Sequence, residues 1–183
     1  MPPSSTTEGC PDSPLLSGPK GGEGIRPLAP PSPQPYISRV TTALYNRDIL
    51  RLAASIPHHH RLAHPQASVE RRSPVCGSRI RVDVVLDKEG RVAQLGQEVR
   101  ACALGQASAS LMAAHAIGHR AQDFAEARDA LAAFLAGDRE DPGKWPGLAV
   151  FRHARPYKVR HRSILLAFEA MADAAAEAAK AAA

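Results

Sequence analysis

From Arg79 to Leu86 the chain alternates with a period of two. Ile80, Val82, Val84 and Leu86 fall on one side and Arg79, Arg81 and Asp83 on the other, with Asp87 continuing the second set. Successive side chains of a β-strand point to opposite faces, so the pattern describes a strand with one face in a core and one in water. Asp87-Lys88-Glu89-Gly90 follows as a hairpin turn, with glycine where a positive φ is tolerated. Beyond it Ala93, Leu95, Gln97, Val99 and Ala101 alternate, imperfectly, with Val92, Gln94, Gly96, Glu98 and Arg100, and the first set is expected to face inward. Ala67 to Arg72 is a third, short strand, joined to the Arg79 strand through Ser73-Pro74-Val75-Cys76-Gly77-Ser78.

The rest of the ordered chain reads as helix. Val40, Leu44, Ile49, Leu50 and Leu52 recur at near-helical spacing through Ala54, with Pro57 marking the end. Leu104 to Ala116 lacks proline and β-branched residues and is rich in small side chains, which let a helix backbone approach a neighbour closely. Gln122 to Leu135 carries an apolar stripe of Phe124, Leu131, Phe134 and Leu135, with Gly137 as its stop. Leu148, Val150 and Phe151 form a short apolar piece beneath a polar loop that holds Trp145. Ile164, Leu165, Phe168, Met171, Ala172 and Ala175 then mark a last helix, for which Ser163 is a natural N-cap, leaving His161 and Arg162 just outside its start. The fold class is α+β, a three-stranded antiparallel sheet packed against several helices.

Composition decides where this domain begins and which partners it excludes. Residues 1–36 are dominated by Pro, Gly and Ser and cannot bury enough apolar surface to order themselves, so they are expected to be a disordered tail. The domain is expected over residues 37–178, with an Ala-rich end at 179–183. A net charge of +5 with only 4% aromatic residues gives no interleaving of bases and rings that would stack on nucleic acid, and no apolar run approaches membrane-spanning length. Three widely spaced cysteines, Cys10, Cys76 and Cys102, argue for free thiols in a reducing compartment, hence a cytoplasmic protein.

Cys102 sits where the third strand gives way to the Leu104 helix. Free amides at a helix start favour the thiolate form of a thiol placed there, which makes Cys102 a candidate ligand or nucleophile. Cys76, between Pro74 and Gly77, is presented by a tight connection. It precedes the second strand while Cys102 follows the third, so an antiparallel hairpin brings both to one edge of the sheet. The histidines are weaker candidates. His58, His59 and His60 read as a solvent-facing loop, with His60 and His64 the one usable metal spacing and Pro65 opposing it. His115 and His119 read as basic groups favoured near a helix C-terminus.

Three stretches coincide with a known pattern: C-G-S at Cys76–Ser78, A-C-A-L-G-Q-A-S-A-S-L-M around Cys102, and R-H-R-S-I-L-L at Arg160–Leu166. With Y-N-R-D-I-L at Tyr45–Leu50, they resemble the NifU/IscU-type iron-sulfur cluster assembly scaffolds, SufU proteins included, over roughly residues 40–175. The resemblance implies a SufE/NifU-like sheet-and-helix fold. It also implies a scaffold or carrier that is no enzyme, holding iron and a transient iron-sulfur cluster, or zinc in some members. A cysteine desulfurase would supply sulfur and acceptor apoproteins would receive the cluster. Cys76 and Cys102 match two ligand cysteines, and His161 matches the histidine that often precedes the third. Ser78 stands in the place of the family's aspartate and Arg162 in that of its third cysteine. Arginine is not a metal ligand. The set is then at most Cys76, Cys102 and His161, and a remaining position falls to water, a partner, a small thiol or a second subunit, the last making a homodimer. Two other readings stay open: a SufE-like acceptor that takes a persulfide on Cys102 alone, and a metal-free interaction module of the assembly machinery. A cysteine-histidine hydrolase fits poorly, since no orienting acid follows His161.

Overall fold

A computed structural model of the chain describes residues 44–74 and 77–181. The tail expected over 1–36, with Cys10 in it, and Val40 and Cys76 lie outside the described residues. Strands β1 (Ala67–Arg72), β2 (Arg79–Leu86) and β3 (Val92–Arg100) form one antiparallel sheet in chain order. Around it lie α1 (Arg47–Ala54), α2 (Ala103–Ala114), α3 (Ala121–Ala136), a 3₁₀ helix (Leu148–Ala154) and α4 (Lys158–Ala181). This is the α+β arrangement that the periodicity indicates.

The strand register places Ala67, Val84 and Leu95 in one inward row and Val69, Val82 and Gln97 in the next. One part of the β3 reading is corrected. An irregularity between Val85 and Leu86 pairs Val85 with Gln94 but Leu86 with Val92, so Ala93 is skipped. A bulge shifts the alternation by one residue. Val92 is therefore buried and Ala93 exposed. The turn before it is as expected, with Gly90 at φ 73° and the Asp87 side chain accepting from the Glu89 and Arg91 amides.

The outer face of β2 is not all solvent-facing, as its polar residues suggest. Asp83 is fully buried, because residues 56–64 fold over it. Arg61 Nε and Nη2 donate to the carboxylate at 2.6 and 3.1 Å, and the Leu62 amide donates at 3.1 Å. Gly96, opposite Asp83, permits this: a Cβ there would stand 2.6 Å from the His60 carbonyl. The same segment closes the open edge of β3, with the Gln97 amide donating to the His58 carbonyl at 2.9 Å. Edge strands left with free amides pair with other chains. The histidine run thus works through its backbone and through the His59 ring, whose Nε2 accepts from the Val99 amide at 3.4 Å, while His59 and His60 are exposed.

Local signals set the helix ends. Asn46 caps α1, its side chain accepting from the Ile49 amide at 3.0 Å, and Gly137 ends α3 at φ 94°. Leu50, counted in the apolar stripe of α1, is instead half exposed. His119 is not on α2, whose C-cap is His115. It lies just before α3, with its ring 4.9 Å from that of Trp145 and Nδ1 3.1 Å from Asp123 Oδ2. The Arg120 amide, opposed by burial and helped by His119, holds the Asp123 carboxyl below the usual aspartate range. Trp145 is buried and donates to the Leu111 carbonyl at 3.0 Å.

The start of α4 is a second correction. Ser163 is not its N-cap; the helix begins at Lys158, and Ser163 is buried inside it. Pro156 precedes the helix, nothing in Lys158–Arg162 breaks one, and the Arg160 amide closes the first turn on the Tyr157 carbonyl at 2.8 Å. His161 and Arg162 therefore lie within the helix. α4 lies along β1 and β2 and also packs on α2 and α3. Fully buried Ala167, Ala170 and Ala174 allow the approach, and Phe168 fills the space between.

Where α2 meets α4, Gly105 leaves no room for a larger residue. A Cβ at this position would lie 2.8 Å from Ala101 Cβ and 3.1 Å from the Ser163 carbonyl oxygen. Both neighbours are close to backbone and cannot swing aside. Gly105→Ala should therefore cost about 2 kcal/mol by overpacking, even though alanine is the better helix former. Urea denaturation reads this directly, and an unchanged or raised midpoint would contradict the close approach.

Candidate functional site

The crossing at Gly105 and Ser163 also determines what stands at the sheet's end. Cys102 lies one helical turn before Gly105, and Arg160 one turn before Ser163. Both reach past the crossing into an open cleft of ≈ 450 Å³, lined by Gly77, Ser78, Arg100, Ala101, Cys102 and Arg160. Cys102 is a free, partly exposed thiol in extended backbone (φ −65°, ψ 166°) at the N-cap of α2, and its side chain makes no capping bond. Its carbonyl accepts from the Gln106 amide at 2.9 Å, so the helix starts directly beneath the thiol.

Gly77 and Ser78 reach the cleft because the β1–β2 connection is tight. The Ser73 amide donates to the Ser78 carbonyl at 2.8 Å and the Gly77 amide to the Ser73 carbonyl at 3.2 Å, with Gly77 at φ 68°. Arg79 and Arg100 are directly paired across β2 and β3. The hairpin thus sets Gly77 and Ser78 beside the junction that presents Cys102. Cys76 itself lies outside the described residues, while its chain neighbours Gly77 and Ser78 line the cleft.

His161 and Arg162 do not line the cleft. His161 Nε2 is 3.1 Å from the carbonyl oxygens of Ala154 and Arg155. A carbonyl only accepts, so Nε2 is the donor in these contacts. Arg162 is half exposed and extends along α4 to Glu169, Nη1 to Oε1 at 3.3 Å. The residue of α4 that lines the cleft is Arg160, which the sequence reading passes over. Its signal is its position three residues before buried Ser163, visible only once the helix is known to start at Lys158. Arg100 on β3 is the second cation, 3.2 Å from Glu98 Oε1. Among the described residues no three His, Cys, Asp or Glu side chains are grouped to hold a metal ion.

A three-stranded antiparallel sheet against helices, with a free thiol where the last strand turns into a helix, defines an α+β domain with a candidate thiol site at one sheet end. The profile of the NifU-like N terminal domain matches residues 44–141, and the chain belongs to that family. Among solved structures, a nitrogen-fixing NifU-like protein (N-terminal) from Brucella abortus is 36% identical, with a TM-score of 0.72 over 77% of this chain and 98% of that one. A putative iron-sulfur cluster assembly scaffold protein for the SUF system, from Fervidobacterium islandicum AW-1, shares the fold at 19% identity. Its TM-score is 0.68, over 74% of this chain and 98% of that one. No curated protein matches the chain. No helix among the described residues is long and apolar enough to cross a membrane.

Proposed function

We propose that this chain is an iron-sulfur cluster assembly scaffold or carrier that takes iron and a nascent cluster as cargo on Cys76 and Cys102, with His161 as a third ligand. The observation that carries the reading is the cleft itself. A free thiol at a strand-to-helix junction shares a cleft with Gly77 and Ser78, which follow the second cysteine in the chain, at one end of a sheet of this family's fold. Thiolate sulfur suits iron in clusters and zinc alike. A ligand set with an open position and an open cleft favours release over permanent storage, as a carrier requires. If His161 ligates, Nδ1 is the atom to do so, since Nε2 is held by backbone carbonyls. A cysteine desulfurase as sulfur donor and an acceptor apoprotein follow from the same reading.

Anaerobic reconstitution with ferrous iron and sulfide tests it. The wild type should retain iron and sulfide together and absorb in the visible, and the Cys76→Ala, Cys102→Ala double variant should retain neither. If neither protein holds iron, or both hold it equally, the two cysteines are not the ligands.

A further inference from the structure

The charge around Cys102 has one sign. Among the described residues, the charged side chains lining the cleft are Arg100 and Arg160, and no acidic residue joins them. Behind Arg100 the register aligns Arg72, Arg79 and Arg100 directly across the three strands at this end of the sheet. Like charges placed opposite one another in a sheet are destabilising. Glu70 offsets Arg72 at 2.6 Å, with the charge of Arg79 adding to that of Arg72 in lowering its carboxyl, and Glu98 offsets Arg100 at 3.2 Å, but among the described residues no carboxylate forms an ion pair with Arg160. Arg160 is also half-buried. A cleft built this way attracts an anion, and guanidinium groups are suited to carboxylates, which they grip with two parallel bonds. Its volume accommodates a molecule larger than a single inorganic ion, and its floor is a thiol.

We infer that the cleft over Cys102 binds a small thiol carboxylate from solution, its carboxylate on Arg160 with Arg100 at the rim and its sulfur beside Cys102. There it completes the coordination that the chain's own residues leave open. This role rests on the scaffold reading, but the binding preference does not, and the metal-free protein tests it alone.

The test uses the full chain with Cys10→Ser and Cys76→Ser, so that Cys102 is the one thiol. It is equilibrated with the disulfide of mercaptopropionate or, separately, with neutral hydroxyethyl disulfide. In each case the Cys102 thiolate attacks the disulfide, the S–S bond breaks, one half leaves as a thiolate and the other stays bonded to Cys102. Intact mass spectrometry gives the two exchange constants. The carboxylate thiol should be favoured by about tenfold. Arg160→Gln should bring the ratio close to one, and raised salt should shrink the wild-type preference. A wild-type ratio near one, or a ratio that Arg160→Gln does not move, overturns the proposal. So does an equal loss for both disulfides, which would report access rather than charge. Because no iron is present, failure here leaves the iron-binding test standing, and failure there leaves this one.

Discussion

Asp83→Ala should lower the stability of the domain by about 3 kcal/mol. The carboxylate is fully buried on the outer face of β2 and accepts from Arg61 Nε and Nη2 and from the Leu62 amide, with Ser68 beside them. Removing it strips residues 56–64 of their anchor and leaves the Leu62 donor unpaired. The Arg61 side chain is 42% exposed and regains water, which keeps the loss at the lower end of the range for broken buried pairs. A melting point about 10 °C lower is the expected readout. The pH dependence has a definite sign. Burial alone would push the Asp83 carboxyl up, but hydrogen bonds from Arg61, Ser68 and the Leu62 amide outweigh it and hold it below the usual aspartate range. A depressed carboxylate contributes stability that is present above the unfolded value, near pH ~4, and is lost as the pH falls through the folded value. Wild type should therefore lose stability more steeply than Asp83→Ala below pH ~4. Equal acid limbs for the two proteins would show that this pair does not pin the loop.

Cys102→Ala alone should reduce iron and sulfide retained after reconstitution by at least about tenfold. Arg162→Ala should leave both unchanged, for Arg162 reaches Glu169 along α4 and does not line the cleft. The two variants separate a site centred on the thiol from one in which the arginine at the family's third-cysteine position has taken over its work. Iron and acid-labile sulfide per chain measure the difference. A retained cluster in Cys102→Ala, or its loss in Arg162→Ala, would reverse the assignment.

What the sequence makes legible here follows from where each signal is local. Ile80, Val82, Val84 and Leu86 alternate without interruption, so β2 and the hairpin are plain in the chain, and β1 is found at Ala67–Arg72. Cys102 is legible because an alternating run ends and a small-residue helix begins on either side of it. Val92 is not, since a bulge is a relation between two strands and leaves no mark in either alone. The burial of Asp83 depends on Arg61 and Leu62, far upstream, and a charged residue on the outer face of an alternating strand otherwise reads as solvated. The first turn of α4 is polar and carries no apolar period, while Ser163 resembles a cap, so the helix start appears late. That one misplacement hides Arg160, because the face it shares with Ser163 exists only if both are helical. It also sets His161 and Arg162 before the helix, whereas both lie within its first turns.

Cluster transfer tests the carrier reading most directly. Wild-type chain, reconstituted anaerobically and freed of excess iron and sulfide, is mixed with an apo-ferredoxin in the presence of an iron chelator, and the visible circular dichroism of the ferredoxin is followed. A carrier should convert the apo-ferredoxin to its cluster-bound form faster than chelated iron and sulfide do, with its own absorption falling in step. A chain that acquires no cluster, or holds one that never reaches the ferredoxin, would contradict that role.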